Sequence, residues 1–502
     1  MPERQTARDL IASILDPDSW ASWDTPIVSA GLDAAYDCEL TEARLKTGVD
    51  GAVLTGEGRI HGRRIALLVS EFRFLGGSIG VREAQRIVDA LERATRAGLP
   101  VLALPASGGT RMQEGTPAFV HMADICAAVV RHKRVGLPYL VHLRHPTTGG
   151  VMASWGALGH ITTAEPGALL GFLGPRVFET LTGTAFPADV QTAENLFAHG
   201  LVDAVVPATR LADLVSRIVR LNDITPAGRP CPPGDHPTPA VDAWDAIRRT
   251  RRRGRPGLRQ LVDRAEDVVP LNGTGHGERE PSMYLGLMRF GNASCVVVGH
   301  DRTAEAESGP AGPAGLRTAR RGMRLAEELG LPLLTVIDTA GAALSVAAEE
   351  GGLAREIAAC LAELTTLRTP TVSLLLGRGT GGGALALLPA DRVLAAQNAW
   401  VAPLPPEGAS AIVHGHPLYA ADMSRAQRVG AEHLLASGTV DRIIPESPDA
   451  CDAPHTFMAN LRVVVEAELS AAVQAGYDTE RRTARSRGTE ATHAAAGGRT
   501  PR

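Results

Sequence analysis

The chain repeats itself. Residues 98–109 read GLPVLALPASGG, and residues 330–341, 232 positions later, read GLPLLTVIDTAG. Each stretch is a Gly-Leu-Pro stop, a short apolar run suited to a strand, and a turn of small residues. Thr-Gly-Gly at 148–150 is answered by Gly-Gly-Gly at 381–383, an offset of 233, and GLVDAVVP at 200–207 by GTVDRIIP at 438–445, an offset of 238. Three matches in one order, each carrying both apolar pattern and glycine placement, indicate two copies of one domain. Any fold proposed for this chain must therefore be built twice.

Within each copy, helix-period and strand-like segments alternate. Residues 81–97 and 318–329 space apolar residues at helical intervals and run into the Gly-Leu-Pro stops. Second helices are expected over 117–134 and 349–364, leading to strands at 137–143 and 369–376. Such αβ repetition predicts an α/β fold with parallel strands covered by helices, its sites on the glycine-rich turns at the strand ends. A Pro-rich connection, TPAGRPCPPGDHPTPA (225–240), separates the copies. The expected organisation is a first domain over 1–222, a linker over 223–242, a second domain over 243–470 and a disordered tail over 471–502.

Composition narrows the function classes. The 51 basic and 55 acidic residues give a net charge of −4, so no global field draws the chain to nucleic acid or anionic lipid. Only Lys46 and Lys133 are lysines, which leaves anion recognition to arginine forks and backbone amides. Cys38, Cys126, Cys231, Cys295, Cys360 and Cys451 are far apart, with no Cys-x-x-Cys pair, so no zinc or other metal is expected. No apolar run reaches the roughly 18 residues of a membrane span, and the first residues lack a signal-peptide pattern. A soluble, cytoplasmic protein is expected.

The chemistry is expected at PTTGGVMASWGALGH (146–160). Gly149 and Gly150 follow a strand and open a small-residue helix, so their amides can approach a ligand carbonyl closely and form an oxyanion hole. GRGTGGGALALLPADRV (377–393) offers the same arrangement at Gly382, Gly383 and Ala384. For a single Gly-Gly, close packing of a turn against a helix is the favoured reading; two copies at equivalent positions of a duplicated domain shift the balance to function.

These motifs carry a resemblance. FLGGSIG (74–80), ASGGTRMQEG (106–115), PTTGGV (146–151) and AEPGALLGFLGPRVFE (164–179) resemble the β subunit of bacterial acetyl-CoA carboxylase carboxyltransferase. WDAIRRTRRRGRP (244–256), VVVGH (296–300), IDTAGAA (337–343), AEEGG (348–352), GGGALAL (381–387) and PEGASAI (406–412) are similar to its α subunit. The resemblance implies a crotonase-like fold in each half. It also implies carboxyl transfer from carboxybiotin on a carrier protein to the α-carbon of an acyl-CoA, acetyl-CoA giving malonyl-CoA. By the same resemblance Gly149 and Gly150 serve the thioester, and Gly383 and Ala384 the biotin. A homodimer or larger assembly, a separate biotin carboxyl carrier protein and a separate biotin carboxylase are implied as partners.

Further candidates surround these turns. Ser107, Gly108 and Gly109, with Gly76 and Gly77, are expected to shape the acyl-CoA pocket, and Arg176 to contact CoA or a partner domain. Arg111 is expected to pair with Glu114, and His145 to pack as a neutral residue. Arg248, Arg249, Arg251, Arg252, Arg253, Arg255 and Arg259 read first as a solvated basic face and second as a CoA-phosphate site. Two segments depart from the family pattern: DTAGAALS (338–345) lacks the α-type prolines and tyrosine, and 303–316 lacks its Arg-Arg-Asn-Phe-Gly element. A thioester decarboxylase on the same fold, or a degenerate structural paralogue, are the alternatives.

Overall fold

The computed structural model describes residues 5–27, 33–223 and 240–484. The chain divides into two compact units, Met1–Arg220 with Gly275–Gly277, and Leu221–Thr274 with Glu278–Arg502. Cys231 and most of the Pro-rich connection lie outside the described residues.

The first unit holds a seven-stranded sheet in the order β1 (Ala21–Ser22), β2 (Val53–Ile60), β3 (Arg63–Ser70), β4 (Val101–Leu104), β5 (Tyr139–Leu143), β6 (Ile161–Ala164) and β7 (Ala204–Val205). The second holds an eight-stranded sheet: β8 (Asp267–Leu271), β9 (Met283–Phe290), β10 (Ala293–His300), β11 (Leu333–Thr339), β12 (Thr371–Thr380), β13 (Arg392–Ala396) and β15 (Arg442–Ile444), with β14 (Trp400–Ala402) paired to β12. Both sheets are mixed, not parallel throughout. β2 and β3 pair antiparallel around His61-Gly62, and β9 and β10 around Gly291-Asn292; β3 to β7 and β10 to β13 then run parallel. His61, Gly62 and Gly291 all have positive φ, which suits two-residue hairpin turns.

Helices fill the parallel crossovers for the reasons the sequence suggests. In Val81–Arg96, buried Ala84, Ile87, Ala90, Leu91 and Ala94 form one apolar stripe against the sheet. Gly98 and Gly330, 232 residues apart, both adopt left-handed backbone (φ 64° and 65°) after their helices, and Pro100 and Pro332 immediately precede the next strands. Duplication extends to the sheet edge. Asp203 N–H donates to the Thr162 carbonyl (2.7 Å) and its carboxylate accepts from Thr162 N–H (2.9 Å). Asp441 brackets Val393 in the same way, at 2.7 Å and 2.7 Å.

Backbone conformation resets one match. Thr148 and Thr380 both cap helices whose first residues, Gly149 and Gly381, have φ of 61° and 63°. Thr148-Gly149-Gly150 therefore corresponds to Thr380-Gly381-Gly382, at the same 232-residue offset as the strands before it, one less than the glycines alone suggested. Gly383 and Ala384 stand one step further along the helix Gly381–Leu385.

The tail differs from expectation. Helix Pro454–Ala475 runs beyond residue 471, and a further helix covers Thr479–Ala484. Arg482 explains why: its side chain is fully buried and forks onto Asp391 (2.8 and 2.7 Å) while donating to the carbonyls of Leu364, Leu367 and Thr369. Residues 485–502 lie outside the described residues.

Candidate functional site

In the first unit the turns after β4 and β5 lie backbone against backbone. Thr148 N–H donates to the Ser107 carbonyl (2.9 Å) and Ser107 N–H to the Pro146 carbonyl (2.7 Å). A Cβ on Gly109 would stand 3.2 Å from both Gly149 Cα and Gly150 N, so only glycine permits this approach. The buried Ser107 hydroxyl donates to the Gly77 carbonyl (2.6 Å) and accepts from Gly109 N–H (2.9 Å). It clamps the turn. Exposed Gly108 donates to the Gly76 carbonyl (2.9 Å), and Gly77 is forced by the Ala106 carbonyl, which its Cβ would meet at 2.1 Å.

Gly149 behaves differently from the expected amide pair. Its N–H already donates to the Phe172 carbonyl (2.8 Å), and its left-handed φ makes the turn. The Gly150 N–H finds no acceptor among the described residues. Arg176 lies in helix Pro175–Thr182, but its side chain is outside the described residues.

The second unit repeats the clamp. Thr339 hydroxyl donates to the Gly341 carbonyl (2.6 Å) and accepts from Gly341 N–H (3.1 Å), as Ser107 does around Gly109. Gly383 packs on this turn: its Cβ would stand 3.2 Å from the Gly341 carbonyl oxygen, while that of Gly382 would meet Ile357 Cδ1 at 2.6 Å. The N–H groups of Gly382 and Gly383, in the first turn of the helix Gly381–Leu385, find no acceptor among the described residues, whereas that of Ala384, four residues after the N-cap Thr380, falls within the helix's own bonding.

An ion-pair network that the sequence did not announce supports the second turn. Asp338, at the end of β11 and 0% exposed, accepts from Arg302 Nη1 (2.8 Å), Arg378 Nε (3.0 Å) and Arg378 N–H (3.1 Å). Burial opposes its ionisation, but the two guanidinium groups outweigh that and hold its carboxyl below the usual range. Glu305 joins the network through Arg378 (3.5 Å); there burial prevails and pushes the carboxyl up. The one signal in the sequence was a carboxylate ending an apolar strand, Asp338 in LLTVIDT, immediately before the turn.

The remaining candidates are structural by their contacts. Arg111, 1% exposed, pairs chiefly with Glu83 (2.7 Å) and Tyr36 (2.8 Å), with Glu114 at 3.7 Å. His145 Nδ1 accepts from Leu169 N–H (3.0 Å). The arginine cluster is ion-paired: Arg248 to Asp245, Arg251 to Glu407, Arg252 to Asp449 and Asp452, and Arg259 to Asp301. Arg255 corrects the reading of a solvated face: its side chain and that of Glu446 are both 0% exposed, paired at 2.7 Å. Among the described residues no group of three His, Cys, Asp or Glu is placed to hold a metal, and no helix is long and apolar enough to cross a membrane.

Residues 2–483 match the model of the carboxyl transferase domain. The chain belongs to the carboxyl transferase domain family. It is 54% identical over 469 residues to a probable biotin-dependent acyl-coenzyme A carboxylase beta3 subunit of Mycobacterium tuberculosis, covering 93% of this chain and 94% of the relative. It is 39% identical over 457 residues to the acetyl-coenzyme A carboxylase carboxyl transferase subunits beta/alpha of Salinispora arenicola, covering 87% of this chain and 80% of that one. The transcarboxylase 12S structure superposes with a TM-score of 0.73 at 21% identity, over 95% of this chain and 91% of that one, which establishes the shared crotonase-like fold.

Proposed function

We infer that this family member is the carboxyltransferase component of a biotin-dependent acyl-CoA carboxylase, with acetyl-CoA as acceptor and malonyl-CoA as product. The observation that carries the reading is the duplication of one glycine-turn geometry, at the carboxyl ends of equivalent strands in two units. Carboxyl transfer to an acyl-CoA must stabilise negative charge on two different oxygens, that of the thioester enolate and that of the biotin ureido group. Duplicated half-sites suit that need. The 54% identity to a subunit named for biotin-dependent acyl-CoA carboxylation supports it further.

In the first unit the unengaged Gly150 N–H is assigned to the thioester oxygen, with Gly149 forming the turn and Ser107, Gly109 and Gly77 fixing its floor. In the second unit Gly383 and Ala384, both buried at the start of their helix, are assigned to the donor side, where Gly383 rests closely on the Gly341 carbonyl. Those residues suit a flat ureido group in being small, with the Gly383 N–H in the unpaired first turn of its helix. Carboxybiotin on its carrier would supply the activated carboxyl group. The chain's own residues orient the two reactants and place donors where charge develops, a preorganisation worth about 100- to 1000-fold for each donor. The same chemistry implies a biotinylated carrier protein and a biotin carboxylase as partners, and a homo-oligomeric enzyme.

The test is turnover of malonyl-CoA by the purified chain with and without free biotin or biotinylated carrier. Biotin-dependent formation of acetyl-CoA is the expected result. Equal rates without biotin would replace the carboxyltransferase by a decarboxylase.

A further inference from the structure

The duplicated turns are held by different chemistry. In the first unit the amide at the centre of the turn, Gly108 N–H, donates to a backbone carbonyl, that of Gly76, at 2.9 Å. The corresponding amide 232 residues later, Ala340 N–H, donates to a side-chain carboxylate, Glu305 Oε1, also at 2.9 Å. Glu305 projects from the helix Arg302–Ser308, which Asp301 caps by accepting from Thr303 and Ala304 N–H. That helix lies in the segment that departs from the family's sequence pattern, so the departure coincides with the anchor.

Resting on the carboxyltransferase reading, we propose that Glu305 is a positioning residue for the donor half-site, fixing the Thr339–Gly341 turn and, through it, the amides of Gly383 and Ala384. The path is continuous. Glu305 holds Ala340; Thr339 clamps Gly341 on either side of it; and the Gly341 carbonyl is the surface on which Gly383 rests. Arg378, on the strand leading to Gly381–Gly383, reaches both Glu305 Oε2 (3.5 Å) and Asp338 Oδ1 (3.0 Å), which ties the two turns together at their base. At the matching point of the first half-site the partner of the Gly108 amide is a backbone carbonyl and not a titratable group.

A charged anchor gives the donor-side turn a pH dependence that a backbone carbonyl does not give its counterpart. The groups facing Glu305 are Arg378 from β12 and Asp338 from β11, with Arg302 on its own helix and His300 at the end of β10 reaching Asp338. Asp338 is held ionised by its arginines, and burial keeps His300 neutral down to about 4. Glu305, pushed up by burial, is the member that takes up a proton as pH falls and then loses its charge toward Arg378. Because its carboxyl is raised in the folded chain, the ionised form at neutral pH adds nothing to stability, so neutralising it does not weaken the fold.

The test uses the full-length enzyme in the reverse direction, malonyl-CoA with free biotin as acceptor. Glu305→Ala is expected to lower kcat/KM for biotin about 10- to 100-fold, the cost of misplacing a reacting group, while leaving KM for malonyl-CoA unchanged. Glu305→Gln, which keeps an acceptor for Ala340, is expected to restore most of that loss near neutral pH, to flatten the acid limb of the biotin profile, and to leave the melting temperature unchanged or higher. Exposed Glu307→Ala is the control. Equal losses toward both substrates, or none, would overturn the proposal. Deuterium uptake over residues 333–345 tests the anchor apart from catalysis: faster exchange in Glu305→Ala is expected, unchanged exchange refutes the anchor, and a wild-type enzyme without biotin-dependent turnover overturns the carboxyltransferase reading and the donor-side role with it, whatever the exchange.

Discussion

Replacing Arg482 by alanine should unfold the second unit far more easily than its place near the chain end suggests. The guanidinium is 0% exposed against 7% for Asp391, so the pair belongs among buried ion pairs. Removing one partner of such a pair costs about 3–5 kcal/mol, whereas an exposed pair is worth about 1 kcal/mol or less. Asp391 keeps donors from Thr371 N–H (2.8 Å) and Asp478 N–H (2.9 Å), which places the loss toward the lower end. The carbonyls of Leu364, Leu367 and Thr369 lose their guanidinium donors at the same time, which pulls it back up. At roughly 2–4 °C per kcal/mol for a domain of this size, calorimetry should show a melting transition about 6–20 °C lower. Neighbouring Arg481, 49% exposed and paired with Asp441 at 3.1 Å, serves as the internal comparison, and its alanine variant should move by less than about 4 °C. A shift for Arg482→Ala no larger than that for Arg481→Ala would show that residues 479–484 do not latch onto the core.

Two glycine variants should separate strain from misplacement. Gly149→Ala forces a side chain into φ 61° and brings its Cβ to 3.1 Å from the Gly108 carbonyl, so it should cost about 1–3 kcal/mol of stability as well as acyl-side turnover. Gly383→Ala meets the Gly341 carbonyl at 3.2 Å and Ala342 N at 3.4 Å in ordinary backbone geometry; kcat/KM for biotin should fall about 10- to 100-fold with a smaller change in melting temperature. Equal melting shifts in the two variants would contradict this division. Burial pushes His142 down to about 3 and His132 and His300 down to about 4. The unfolded chain therefore binds more protons than the folded one between about pH 6.5 and 4, and stability should fall on acidification by about 1.4 kcal/mol per pH unit for each histidine. A melting temperature flat from pH 7 to 5 would count against neutral, buried rings.

What the sequence revealed and what it hid divide along the range of the interactions. Gly98 and Gly330 were readable because a glycine before Leu-Pro marks a helix stop locally, and both adopt the backbone that this requires. The Val-Asp pair repeated at 202–203 and 440–441 was readable as a match, though its purpose, an aspartate bracketing the neighbouring strand, needed the sheet. The arginine cluster was misjudged at Arg255 because its partner Glu446 lies 191 residues away. Arg482 was placed in a disordered tail for the same reason, since its composition is that of a solvated segment and its partner is 91 residues upstream. The register of the second glycine turn was off by one because three glycines in a row carry no side-chain mark, and only the shared positive φ of Gly149 and Gly381 sets it.

That same register carries the functional argument further than the glycines do alone. Once Gly108 and Ala340 are seen as one position, a duplicated amide is found satisfied by a peptide carbonyl in one copy and by a carboxylate in the other. Copies that bound the same group would have no evident need for different anchors. On the proposed reading, the different anchors under two otherwise matching turns suit two different substrates, because one half-site then responds to charge and acidity while the other is held by a backbone carbonyl. On that reading the glycines set how close a ligand oxygen would come, and Glu305, Asp338 and Arg378 make the two half-sites unlike.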